Sequence, residues 1–198
     1  MLNYQISIDT HNHLYNVKMV FKPTNTSHEL KLPTWIPGSY MIREFSKNIV
    51  ELNATQKAQN VLCNQINKNT WELTKLKLTA EVTIEYTVYA YDFGIRAAYL
   101  DDFRGYFNNT SLCLYVVGLE KLQHNMELIN LPKSWNVATG LKALNKAHFV
   151  AESYDELIDC PVEIGNLTSL EFVVKEASRH KIPDYIPNEI KELIRECW

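Results

Sequence analysis

Two histidines one residue apart, His11 and His13, are the first residues in the chain able to do chemistry. On a strand, positions i and i+2 share a face, so the pair has the spacing of two imidazole metal ligands. Asn12 between them is a turn former, which reads equally as two solvent-facing rings beside a hairpin turn. No third ligand is assignable. His28-Glu29 begins a second candidate. A zinc helix of the His-Glu-x-x-His type needs another histidine at position 32, where this chain has Leu32. Residues 28–32 also alternate as a strand does, which places His28 on a strand surface. Cys63, Cys113, Cys160 and Cys197 form no C-x-x-C pair and no zinc spacing, so they read as free thiols. The chain is therefore expected to hold no stoichiometric zinc. Elemental analysis of metal-depleted, re-equilibrated protein checks this; one tightly held zinc per chain would contradict it.

The carboxylates are read next. Asp101-Asp102 follows an apolar stretch and marks a solvated turn, since a hard-cation site needs several oxygen ligands at coordinated spacing. Glu163, in the stretch Asp159-Cys160-Pro161-Val162-Glu163, has two readings. It pairs with a basic residue to hold a hinge, or it meets the free amine of a peptide. Tyr106-Phe107-Asn108-Asn109-Thr110 reads as a hairpin loop, with Asn109 suited to positive φ. Neither a dinucleotide fingerprint nor a phosphate-binding P-loop is present.

Leu32 to Phe45, LPTWIPGSYMIREF, is neither a regular strand nor a helix. Pro33 and Pro37 each fix φ and remove a donor, and Gly38 after Pro37 signs a turn. Trp35, Pro37, Gly38, Tyr40, Arg43 and Glu44 are expected to form a packed corner. Trp35 is expected to be buried, with Trp35→Ala costing about 3–5 kcal/mol.

The elements that must position these residues are strands. Period-2 alternation runs through Tyr4–Asp9, Leu14–Phe21 and, most cleanly, Glu81–Tyr91. Further strands are predicted at Glu29–Thr34, Ile49–Ala54, Thr70–Thr74, Ser111–Val117 and Asn125–Ile129. Many short strands between polar turns predict an all-β, antiparallel two-sheet sandwich. Ser153 is a candidate N-cap for a short helix that Pro161 ends. Leu170–Lys175 is a strand candidate. Pro187–Trp198 is a helix candidate whose apolar face includes Ile190, Leu193, Ile194 and Cys197, a surface for packing or self-association. The net charge of −3 implies no broad basic surface for nucleic acid, and no apolar run is long enough to span a membrane. The N-terminus has no basic n-region and no apolar core, so a cytoplasmic location is expected.

The stretch from Leu32 to Phe45 resembles the N-terminal domain of the glycyl-aminopeptidase family of zinc metallopeptidases, whose members often carry a C-terminal PDZ domain. Ala90–Gly118 is similar to the family's long strand and hairpin block, and Tyr154–Gly165 to its interdomain motif. The three fall in the same order and cover about Tyr4 to Gly165. The resemblance implies an N-terminal β-domain over 1–165 and the truncated start of a catalytic domain, an α/β stub, over 166–198. His180 lies where the family often has a histidine in a strand. The resemblance also implies zinc and glycine- or alanine-preferring aminopeptidase activity in the parent protein, outside this chain. The β-domain would then flank the active-site cleft and limit or orient peptide substrate, with Tyr106, Asn108, Thr110 and Glu163 as substrate-facing candidates. Two rival readings stand beside it. One is a stand-alone module binding peptide or glycan through exposed Tyr89, Tyr91, Tyr99 and Tyr106. The other is an interaction protein whose C-terminal helix docks on a partner or on its own copy.

Overall fold

Tyr4 and Ile6, then Tyr15, Val17, Met19 and Phe21, then Val82, Ile84, Tyr86 and Val88 are all buried, while the residues between them are less so. This is the alternation of strands that bury one face. The computed structural model describes residues 1–39 and 41–169. Met1–Leu167 packs as one unit, and Thr168–Trp198 is a separate one. Tyr40, His180, the Leu170–Lys175 strand and the Pro187–Trp198 helix lie outside the described residues.

The largest sheet has eight strands. Its centre is β1 (Leu2–Asp9), β2 (Leu14–Phe21), β8 (Val82–Tyr89) and β4 (Ile49–Gln56), flanked by β5 (Gln59–Asn60). On the other side of β1 come β12 (His124–Leu128), β15 (His148–Ala151) and β14 (Lys142–Ala143). A second sheet orders β11 (Tyr115–Val116), β3 (His28–Lys31), β7 (Thr70–Thr74) and β6 (Leu62–Asn67). A third orders β13 (Asn136–Thr139), β16 (Val162–Gly165), β10 (Arg104–Phe107) and β9 (Ala98–Leu100). The all-β class stands. The sheets number three rather than two, and β1 pairs with β12 in parallel. A parallel neighbour needs a long connection, which local alternation does not report.

One apolar core joins the sheets. Its unusual part is the segment after β10, where Asn109–Ser111 forms a short 3-10 turn and the chain runs on through Leu112, Cys113 and Leu114, all buried. A strand was expected there, and only Tyr115–Val116 pairs. The buried carbonyls find side-chain donors instead. The hydroxyl of Tyr86 donates to Leu112 O at 2.9 Å, that of Tyr154 to Cys113 O at 2.7 Å and that of Tyr4 to Leu114 O at 2.8 Å. These bonds satisfy backbone that no sheet partner reaches. Burial, the largest cause, holds all three phenols well above their ordinary pKa.

The same cluster fixes His124. Tyr4 has one hydroxyl proton and gives it to Leu114 O, so its oxygen accepts from His124 Nδ1 at 3.2 Å. The ring stacks on Tyr4 with centroids 5.9 Å apart, and its buried Nε2 has no hydrogen-bond partner. Burial pushes the imidazole pKa down from 6.5 to about 4. Between those values the unfolded chain binds a proton that the folded one refuses, so stability falls as pH falls through that window. His124 is expected to cost about 2 kcal/mol of stability between pH 7 and pH 5. Urea unfolding at both pH values checks this, and the loss should shrink in His124→Asn. An equal loss in that variant would contradict it.

His28 is not the surface residue expected. It is buried, and its Nε2 accepts from the backbone N–H groups of Thr24 at 3.1 Å and Asn25 at 3.2 Å. Burial lowers its pKa too. Trp35 is the converse case: it is 51% exposed, and its neighbour Ile36 enters the core. Adjacent residues point to opposite sides of extended backbone, so only one of them can fill that site. Trp35→Ala is therefore expected to cost about 1 kcal/mol rather than the loss of a fully buried aromatic. The turn expectation stands. Ser39 N donates to Ile36 O at 3.1 Å around Pro37-Gly38, and Gly38 has φ +76°. A side chain there meets open space, so the backbone angle alone requires glycine. Arg43 closes the corner through Ser39 Oγ at 3.0 Å and Met41 O at 2.9 Å, while Glu44 pairs with Lys68.

Candidate functional site

The third sheet brings the candidate residues together. Its register sets Ala138 opposite Glu163, Glu163 opposite Tyr106, and Tyr106 opposite Tyr99. Directly opposed residues share a face, so this row crosses four strands on one side. Asp101 closes the β9–β10 hairpin. Its carboxylate accepts from Phe103 N and Arg104 N, both at 2.8 Å, and from the Tyr99 hydroxyl at 2.8 Å. Asp101-Asp102 is thus the turn that the sequence indicated. Burial acts to raise the Asp101 pKa, but the donors from Arg104, Phe103 and Tyr99, with the Arg104 charge, hold it below the usual carboxylate range. The bond to Asp101 in turn pushes the Tyr99 phenol up to about 12.

Arg104 lies over the Tyr99 ring, 5.6 Å from its centroid, and its Nη1 is 3.6 Å from Glu163 Oε1. The basic partner of Glu163 is therefore Arg104. No sequence spacing pointed to it, because β10 and β16 meet only through the sheet. Burial raises the Glu163 pKa and the Arg104 charge partly offsets it. Among the described residues Arg104 is the only charged partner of Glu163. At that separation the carboxylate keeps acceptor capacity for a further cation. The Tyr106 hydroxyl donates to Ile95 O, which pins the loop after β8 beside the row. That loop and the β9–β10 turn expose Phe93 (71%), Ile95 (71%) and Phe103 (80%). Beneath them Phe93 meets Tyr99 at 4.4 Å, and Tyr91 meets His13 at 4.1 Å.

Two substrate-facing candidates do not face outward. Asn108 and Thr110 are buried, because the chain turns into the core after β10 instead of forming a hairpin loop. Asn108 Oδ1 caps the short turn, accepting from Thr110 N at 3.0 Å and Thr110 Oγ1 at 2.6 Å. Asn109 is absent from the positive-φ residues; it is a buried donor to Leu157 O at 2.9 Å and Cys160 O at 2.7 Å. The aromatic reading also divides. Tyr89 and Tyr91 are partly exposed, whereas Tyr99 is buried.

His11 and His13 lie in the turn between β1 and β2, not on a strand; His13 has φ +57°, and its Nδ1 lies 2.6 Å from Leu100 O. Among the described residues no group of three or more His, Cys, Asp or Glu is placed to hold a metal ion. Among the same residues no helix is long and apolar enough to cross a membrane.

Among solved structures, an aminopeptidase N family protein from Idiomarina loihiensis superposes with a TM-score of 0.83 at 46% sequence identity. The match covers 89% of this chain and 31% of that protein. Yeast LTA4 hydrolase in complex with bestatin shares the fold at a TM-score of 0.50 and 9% identity, covering 86% of this chain and 29% of that one. The chain thus spans less than a third of either protein. No curated protein matches it. Over residues 3–166 the chain matches the model of the Peptidase M61 N-terminal domain, and it belongs to that family.

Proposed function

We propose that this chain is the non-catalytic N-terminal domain of a zinc-dependent aminopeptidase, flanking the active-site cleft and orienting peptide substrate. The observation that carries the proposal is the Glu163–Tyr106 pair, set side by side on one sheet face of a peptidase N-terminal domain. A carboxylate with spare acceptor capacity suits the charged amine at the start of a peptide. Its neighbour Arg104 sets how much negative charge the amine meets. Tyr106 limits the space beside it. Zinc, the activation of water and the preference for glycine or alanine belong to the catalytic domain of the parent. That domain is the partner this chain implies.

Purified and supplied with zinc, the 198-residue chain is expected to leave glycyl- and alanyl-p-nitroanilide intact, while the longer protein hydrolyses them. Hydrolysis by the pure chain, surviving further purification and abolished by a chelator, would overturn the assignment. A second reading, a module that binds peptide or glycan, draws on the exposed Phe93, Ile95 and Phe103. Titration with short peptides and oligosaccharides, read at those side chains, distinguishes it.

A further inference from the structure

Arg104 and Glu163 are diagonal neighbours on one face of the third sheet. Arg104 and Tyr106 lie two residues apart in β10 and so share a face, and Tyr106 stands opposite Glu163. Val162 and Ile164, on either side of Glu163, are buried, so this face is the one turned away from the core. The charged ends are 3.6 Å apart, longer than a hydrogen bond, so the carboxylate keeps its acceptors and the guanidinium its donors. Both side chains are partly exposed. The surroundings hold the guanidinium without satisfying it. Arg104 lies over the Tyr99 ring, and an aromatic face orients a cation without taking up its N–H groups. Tyr99 is fixed in turn: its hydroxyl donates to Asp101 at 2.8 Å, and its carbonyl accepts from the Tyr15 hydroxyl at 3.0 Å. The Asp101 carboxylate also takes the N–H groups of Phe103 and Arg104, so it is committed to the hairpin. The Tyr106 hydroxyl is committed to Ile95 O. A negative group and a positive group, each with unused capacity, therefore stand side by side on a braced sheet.

We propose that this pair is a site for a free α-amino acid, the product of aminopeptidase action, with the α-amine on Glu163 and the α-carboxylate on Arg104. The inference rests on the reading of Glu163 as the amine-binding residue and adds product recognition to it. An α-amino acid carries both charges on a single carbon, which suits groups 3.6 Å apart. In a dipeptide the two charges lie one residue farther apart, about 3.8 Å more along the chain, and do not meet both groups so closely. Hydrolysis creates the difference between substrate and product. The first residue of a peptide presents a neutral carbonyl to Arg104. Water gives its hydroxyl to that carbonyl carbon and a proton to the departing nitrogen, and the acid so formed ionises to a carboxylate. The released amino acid thus gains a charge-assisted contact that the peptide lacked. It then competes with the next peptide for Glu163.

The test is an NMR titration of the 198-residue chain with glycine, glycinamide and N-acetylglycine. Glycine should shift the resonances of Tyr99, Arg104, Tyr106 and Glu163. Glycinamide and N-acetylglycine each lack one of the two charges and should bind about tenfold more weakly. Arg104→Gln should bring glycine down to the level of glycinamide, and Glu163→Gln should bring it down to that of N-acetylglycine. The comparison of the three ligands needs no variant, so it decides the matter even if a variant unfolds. No binding of glycine, or equal binding of glycine and glycinamide, overturns the proposal. If glycinamide equals glycine but is weakened by Glu163→Gln, the product site falls and the amine-binding reading stands. If Glu163→Gln leaves the binding of glycine unchanged, both fall.

Discussion

Gly105→Ala is expected to destabilise the domain by about 3 kcal/mol, near the upper end for overpacking a filled core. Gly105 sits in β10 between Leu100 of β9 and Ile164 of β16. A Cβ added there would run into the Tyr15 hydroxyl, and into Ile164 Cγ1 and Cδ1 at 2.8 and 2.9 Å. None of these neighbours is a free end. Tyr15 is buried, donates to Tyr99 O at 3.0 Å and packs edge-on against Phe107 at 5.1 Å. The methyl group must therefore push the large sheet away from the sheet that carries Tyr106 and Glu163. A urea midpoint shifted down with an unchanged slope would report this loss. An unshifted midpoint would show that the layers are loosely packed.

Asn109→Ala should cost about 3 kcal/mol, because it strips one buried and one part-buried carbonyl of their donor. The carbonyls belong to Leu157 and Cys160, at the end of the short helix α1 (Tyr154–Asp159). The last carbonyls of a helix have no intrahelical partner and depend on such outside donors. Asn109→Asp keeps the volume but replaces the donor with an acceptor facing two carbonyls, so it should cost at least as much. If Asn109→Asp is as stable as the parent chain, the bonds to Leu157 and Cys160 do not hold the helix.

Much of the fold was legible where one side of a strand faces the core. Tyr4–Asp9 and Leu14–Phe21 were read within a residue or two, Thr70–Thr74 to the residue, and the clean alternation before Tyr91 became β8. The helix after Ser153 was legible because its cap is local: Ser153 Oγ accepts from Glu156 N at 3.3 Å. Local signals failed where distant side chains decide the outcome. Residues 111–114 have the composition of a strand, but three tyrosine hydroxyls from elsewhere satisfy their carbonyls. His28 has polar composition, yet an imidazole that accepts two backbone donors can be buried. In the candidate site, Glu163 and Tyr106 were named from the sequence, but their adjacency comes from β-sheet register. Asn108 and Thr110 were misplaced for the same reason: the direction of the chain after β10 is set by the core it enters.

We propose that this domain orients the free amine of a peptide through Glu163. Steady-state kinetics of the longer protein carrying Glu163→Gln tests it most directly, with peptides that differ only in a free or acetylated N-terminus. The glutamine fills the same volume and removes the charge. The KM for free-amine peptides should rise about tenfold, worth about 1.4 kcal/mol. Little change in kcat is expected, together with a smaller preference for the free amine over the acetylated form. Identical KM values in the parent and the variant, with the preference for a free amine intact, would contradict it.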